Sequence, residues 1–109
     1  MREIIDLKGP SGATYRFRLW AVGASHLPTA GNYAFVREQP GGFTVLTAGA
    51  IDDLSLARST HGAAAGKLGA THLFTRLNVS RAVRMAEAAD IAAFYGLDAE
   101  PARRGERDA

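Results

Sequence analysis

The chain has 109 residues, thirteen basic against eleven acidic, with no cysteine and a hydrophobic share of 47%. That length suits one domain with a single core, and the missing cysteines exclude disulfides, thiolate metal sites and cysteine nucleophiles. No segment approaches membrane-span length and the charged opening Met-Arg-Glu-Ile-Ile-Asp is unlike a signal peptide, so a cytoplasmic protein with no membrane partner is expected.

In chain order, Ile4, Ile5 and Leu7 form a short strand or arm that breaks at Gly9-Pro10-Ser11-Gly12. Residues 14–20 alternate, with Tyr15, Phe17 and Leu19 opposite Arg16, Arg18 and Trp20, which is the pattern of a half-buried strand. The first segment can pair with it as an N-terminal hairpin. A loop over 21–30 leads to two apolar runs at about 31–37 and 43–48, flanking the turn Gln39-Pro40-Gly41-Gly42. Asp52 or Asp53 then caps a helix running to about Ser59. The glycine-rich stretch 60–69 reads as loop or frayed helix, because each helical glycine costs about 1 kcal/mol relative to alanine.

Residues 71–77 alternate as a further strand, and Ser80 caps the best helix of the chain, 81–95. Val83, Glu87, Ile91, Phe94 and Tyr95 recur at helical spacing and are expected to line its inner stripe. Within that stripe Glu87 is expected to meet the sheet and to need a partner there. Gly96 stops the helix. The ending from Asp98 onward is polar and charged, which predicts a disordered tail over 98–109. The result is a small α/β (α+β) domain over 1–97, with a central antiparallel or mixed sheet of about three strands, an N-terminal hairpin and flanking helices.

The order hairpin, helix, strand, helix, with Gly31-Asn32-Tyr33 opening the hairpin, resembles the GIY-YIG nuclease family over about residues 30–95. Gly31 and Tyr33 match its first motif, and Thr47-Ala48-Gly49 aligns with its second, keeping only Gly49. Asp52-Asp53-Leu54-Ser55, Gly69-Ala70-Thr71-His72-Leu73 and Ala89-Asp90-Ile91-Ala92-Ala93 resemble the family's helix entry, third-strand approach and final helix. The resemblance implies metal-assisted phosphodiester hydrolysis by a tyrosine, an arginine and a glutamate. Here Thr47 replaces the second tyrosine. The arginine position falls at Leu56 or Ala57, with Arg58 one step beyond. The glutamate position is Ala88, with Glu87 one residue away. One residue on a helix is about 100° of rotation, enough to turn a side chain off a site. The asparagine that closes the family's motif set is missing from 96–101. The resemblance therefore implies that Tyr33, Gly49, Arg58 and Glu87 are candidate remnants of a catalytic set.

Other constellations are weaker. Gly66-Lys67 lacks the spacing and the following hydroxyl of a phosphate loop. His26, His61 and His72 have no metal-ligand spacing; His61 reads as a solvated loop histidine, and His72 as surface or cross-strand packing. Trp20 with Arg16 and Arg18 forms a strand face that could stack bases or anchor a partner, or could lie under other chain. Arg76, Arg81 and Arg84 cluster, as do Arg103, Arg104 and Arg107. The function expected is a catalytically inactive GIY-YIG-like domain that binds nucleic acid, duplex DNA in particular, in the cytoplasm at the nucleoid. It would hold backbone phosphates through Arg58, Lys67, Arg76, Arg81 and Arg84, without a metal or other cofactor. A protein-interaction module in a DNA-associated complex is one alternative. The other is a divergent endonuclease using Tyr33, Arg58, His61 and Glu87 with magnesium or manganese.

Overall fold

Among the described residues seven main elements follow one another: β1 (Ile4–Lys8), β2 (Thr14–Leu19), β3 (Gly31–Gln39), β4 (Gly42–Ile51), α1 (Ala57–Lys67), β5 (His72–Leu77) and α2 (Arg81–Tyr95). They belong to a computed structural model that describes residues 2–97. The tail expected over 98–109, with the arginines at 103, 104 and 107, lies outside the described residues.

The strands form one antiparallel sheet in the order β1-β2-β5-β3-β4. The α+β class agrees with expectation, whereas the separate N-terminal hairpin does not. β2 joins β5, pairing Arg18 with Thr75 and Leu19 with Phe74, and the Trp20 amide donates to the Leu73 carbonyl at 2.9 Å. An isolated two-stranded hairpin is marginal in water. Joining the sheet lets it bury Ile5, Leu7 and Phe17.

Alternation along the strands sets two faces. Ile5, Leu7, Tyr15, Phe17, Ala34, Val36, Val45 and Phe74 point to one side, where Ile91 of α2 completes the larger core cluster. Tyr33, Phe35 and Leu73 point to the other, packed with Leu54 and with Ala57 and Ala65 of α1. The β3–β4 hairpin closes through Pro40-Gly41, and its register steps once, leaving Leu46 as a bulge between Val36↔Val45 and Phe35↔Thr47.

The first helix departs from expectation. Asp53 Oδ1 accepts from the Ser55 amide at 2.9 Å, but what it caps is a single 3₁₀ turn, Leu54–Leu56. α1 then runs from 57 to 67, straight through Gly62 and Gly66. The buried Ala57 and Ala65 seat it against Tyr33, Phe35 and Leu73, which offsets the glycine cost.

α2 has the expected bounds, with Ser80 Oγ accepting from the Val83 amide at 3.3 Å and Gly96 closing it at φ 66°. Its inner stripe is corrected. Val83 and Phe94 are exposed, and the side turned to the sheet carries Arg84, Ala88, Ile91 and Tyr95. The buried Arg84 fixes that rotation by bonding to Asp52 and to the Val79 carbonyl.

Candidate functional site

A row of facing residues crosses four strands on the α1 side of the sheet: Arg18 of β2, Thr75 of β5, Tyr33 of β3 and Gly49 of β4. Tyr33 is buried and lies over Gly49, where a Cβ would stand 2.6 Å from the Tyr33 hydroxyl. Only glycine leaves room for the ring. The His61 imidazole stacks on the other side of that ring, centroids 4.7 Å apart and planes 16° from parallel. His61 is therefore a helical residue held on a tyrosine, not a loop histidine. Gly49→Ala is expected to force the Tyr33 ring off its place and cost about 2 kcal/mol, as overpacking does. Urea unfolding measures the loss, and NMR shifts of the Tyr33 and His61 rings locate it.

Arg58, next along α1, donates from Nη2 to the Trp20 carbonyl at 2.7 Å and lies over the Trp20 ring at 4.7 Å. Trp20 Nε1 donates to the Ala24 carbonyl, and His26 lies 4.9 Å from the indole. The Leu27 carbonyl can only accept, so the 2.9 Å contact from His26 Nδ1 places a proton on that nitrogen. Nε2 then meets Thr75 Oγ1 at 2.7 Å. Loop 21–30 is thus fastened to β5 beside Tyr33.

β2 and β5 pair at only two positions and then diverge. The wedge between them is a groove of about 650 Å³ lined by Arg16, Arg18, Trp20, His26, Thr75 and Arg76. Arg76 spans it, donating from Nη1 to the Arg16 carbonyl at 3.4 Å and lying over the Tyr15 ring. Arg16 pairs with Asp6 at 3.1 Å. That pair raises the Arg16 pKa and holds the Asp6 carboxyl below its ordinary value, chiefly through the hydrogen bond between them. Arg18 has no hydrogen-bond or ion-pair partner among the described residues.

Of the four residues singled out by the resemblance, Tyr33, Gly49 and Arg58 share this face. Glu87 does not. Its Oε1 accepts from Arg76 Nε and from Asn78 Nδ2, each at 2.9 Å. The same Asn78 amide donates to Asn32 Oδ1, and Asn32, next to Tyr33 in the strand, points to the opposite side. Arg84 is buried, donating to Asp52 Oδ1 at 2.7 Å and to the Val79 carbonyl at 3.0 Å. Arg81 is well exposed, 3.9 Å from the same carboxylate oxygen. Lys67 is exposed near the end of α1. Among the described residues no three His, Asp or Glu side chains stand where they could share a metal ion.

Among the described residues the charges consequently divide by face. The α1 side carries Lys8, Arg16, Arg18, Arg37, Arg58 and Lys67 against Asp6 and Asp53. The α2 side carries Arg2, Arg76, Arg81 and Arg84 against Glu3, Glu38, Asp52, Glu87 and Asp90, and each of its arginines stands within 4.0 Å of a carboxylate. The sequence marked Arg16 and Arg18, with Trp20, as a strand face that could stack bases or anchor a partner, but not as phosphate contacts. Their weight emerges once the α2-side arginines are seen to be matched.

Asp90 ties the 9–12 turn to α2, accepting from the Ser11 hydroxyl and from the Tyr15 hydroxyl at 2.7 Å. The Ser11 bond first, then the Tyr15 bond, holds its carboxyl below the ordinary value, and Asp90 in turn pushes the Tyr15 pKa up. A depressed carboxyl stabilises the fold above its unfolded pKa of about 3.9, and that stability is lost as pH falls through the folded value. The melting temperature is expected to be flat from neutrality to about pH 5 and to fall below about pH 4. Asp90→Asn should fall less steeply, as followed by circular dichroism.

Comparison of the chain with protein-family models, with curated proteins and with solved structures finds no match in any of the three.

Proposed function

We propose that this chain is a GIY-YIG-like nucleic-acid-binding domain that holds duplex DNA along its α1 side and does not cut it. The observation that carries the reading is the division of charge. Among the described residues, arginines and lysines on the α1 side outnumber their carboxylates while those on the α2 side are matched, so these residues offer a polyanion the more favourable potential on the α1 side. Tyr33 and Gly49, opposed across the β3–β4 hairpin, support kinship with the nuclease motif. Glu87, on the far face and engaged by Arg76 and Asn78, supports binding rather than hydrolysis. Phosphate contacts pass from Arg76, Arg81 and Arg84, whose face holds at least as many carboxylates as arginines among the described residues, to Arg18, Arg58, Arg16, Arg37 and Lys67. Such contacts hold the backbone and carry no base readout.

Titrating salt against binding to a random duplex tests this. About five phosphate contacts give a slope of roughly −4 to −5 in log K against log salt. The absence of a complex at low salt overturns the reading. Adding magnesium or manganese to the same samples tests cutting, and nicking that Glu87→Ala removes would establish the nuclease instead.

A further inference from the structure

The sheet has two edges, β1 and β4, and they differ in chemistry. β1 is five residues long, carries Asp6 and Lys8, follows Glu3 and ends at Gly9-Pro10. Charge, brevity and proline are the usual devices that keep an edge from pairing with another chain. β4 is ten residues long, Gly42 to Ile51, without a charged residue or a proline. Among the described residues its protection is the bulge at Leu46, which leaves Thr47–Ile51 as a regular segment. The outward amides and carbonyls of that segment have no backbone partner among the described residues. A row of unpaired backbone groups on an apolar edge is a template for a further strand.

We propose that a second copy of this chain pairs antiparallel along Thr47–Ile51 of β4, joining two five-stranded sheets across a two-fold axis. Three features favour a copy over another partner. The segment Thr47-Ala48-Gly49-Ala50-Ile51 opposes no like charges when paired with itself, and its small central residues allow close approach. Pairing β4 with β4 is isologous and closes at a dimer, whereas pairing β4 with the charged β1 would be heterologous and open-ended. The flank of α2 beside this edge also meets its own copy. Arg81 and Arg84 both reach Asp52, just past β4, which sets Met85, Ala88 and Ala92 along the same flank, and Met85 is 41% exposed.

A five-residue strand is about 17 Å long, and sheet plus helix are about 20 Å deep. The estimate is about 350 Å² per copy, a small interface that gives a reversible dimer. The inference is independent of nucleic-acid binding, because the edge lies apart from the β2–β5 groove.

Sedimentation velocity of the full chain without nucleic acid, from about 10 µM to about 1 mM, tests it. The expected result is a shift from monomer toward dimer that Thr47→Lys abolishes. A monomer throughout, or a dimer that Thr47→Lys leaves intact, overturns the proposal. Amide exchange on the wild type makes the test independent of that variant's folding. The outward amides of the segment, those of Ala48 and Ala50, should gain at least several-fold protection with concentration while those of β1 do not, and unchanged protection at both overturns the pairing.

Discussion

Reversing the charge of Arg16 and Arg18 together is expected to weaken duplex binding about 100-fold at low salt, as read by fluorescence anisotropy. Each substitution removes one phosphate contact and places a carboxylate beside the backbone. The fold should survive. The Arg18 side chain has no partner among the described residues, and the exposed, solvent-screened Arg16–Asp6 pair contributes little to stability. Arg81→Glu on the opposite side is expected to change affinity by no more than about two-fold, since it joins a surface whose charges already balance. Equal losses from the two faces would contradict the division of charge as the source of binding.

Replacing Asn32 by leucine is expected to destabilise the protein by about 3 kcal/mol, as measured by urea unfolding. Asn32 is 1% exposed. Its Nδ2 donates to the Arg84 carbonyl at 2.9 Å and to the Gly49 carbonyl at 3.3 Å, while its Oδ1 accepts from Asn78 at 2.9 Å. One side chain thereby joins β3 to β4, to α2 and to the segment after β5. Leucine fills similar space but removes three hydrogen bonds, one each from the Arg84 carbonyl, the Gly49 carbonyl and the Asn78 amide, each worth about 1 kcal/mol. Asn32→Asp is expected to cost more, because it cannot donate and puts a second carboxylate near Glu87. If the leucine variant unfolds at the wild-type midpoint, the network is not what holds α2 in place.

Local chemistry made much of this fold readable from the sequence. Ser80 and Gly96 bracket α2, Pro40-Gly41 turns the hairpin, and the alternation of 14–19 separates Tyr15 and Phe17 from Arg16 and Arg18. These signals act within a few residues. α1 was hidden because Gly62 and Gly66 argue against a helix locally, while the packing of Ala57 and Ala65 on Tyr33 and Phe35 is tertiary. The union of β2 with β5 was hidden for the same reason. At the site, helical periodicity showed that Glu87 would reach the sheet and need a partner, yet only the fold identifies that partner as Arg76. Arg84 looked like a surface arginine because Asp52, which holds it, is far away in the chain. Charge counting from sequence could not separate matched arginines from unmatched ones.

The two helices differ in how firmly they are held. α2 has a side-chain cap, a left-handed glycine stop and anchors through Arg84, Glu87 and Asp90. α1 follows a 3₁₀ turn, has no side-chain cap, contains two glycines and buries only two alanines of its own. The free energy of opening should therefore be lowest in α1, which can lift from the sheet while β3, β5 and α2 stay folded. Such an opening carries Arg58 away from Trp20 and His61 away from Tyr33. The face that carries the unmatched charge is then also the face with the softest cover, so a ligand that seats Arg58 would tighten the whole helix. Binding and local order on this side of the molecule would rise together.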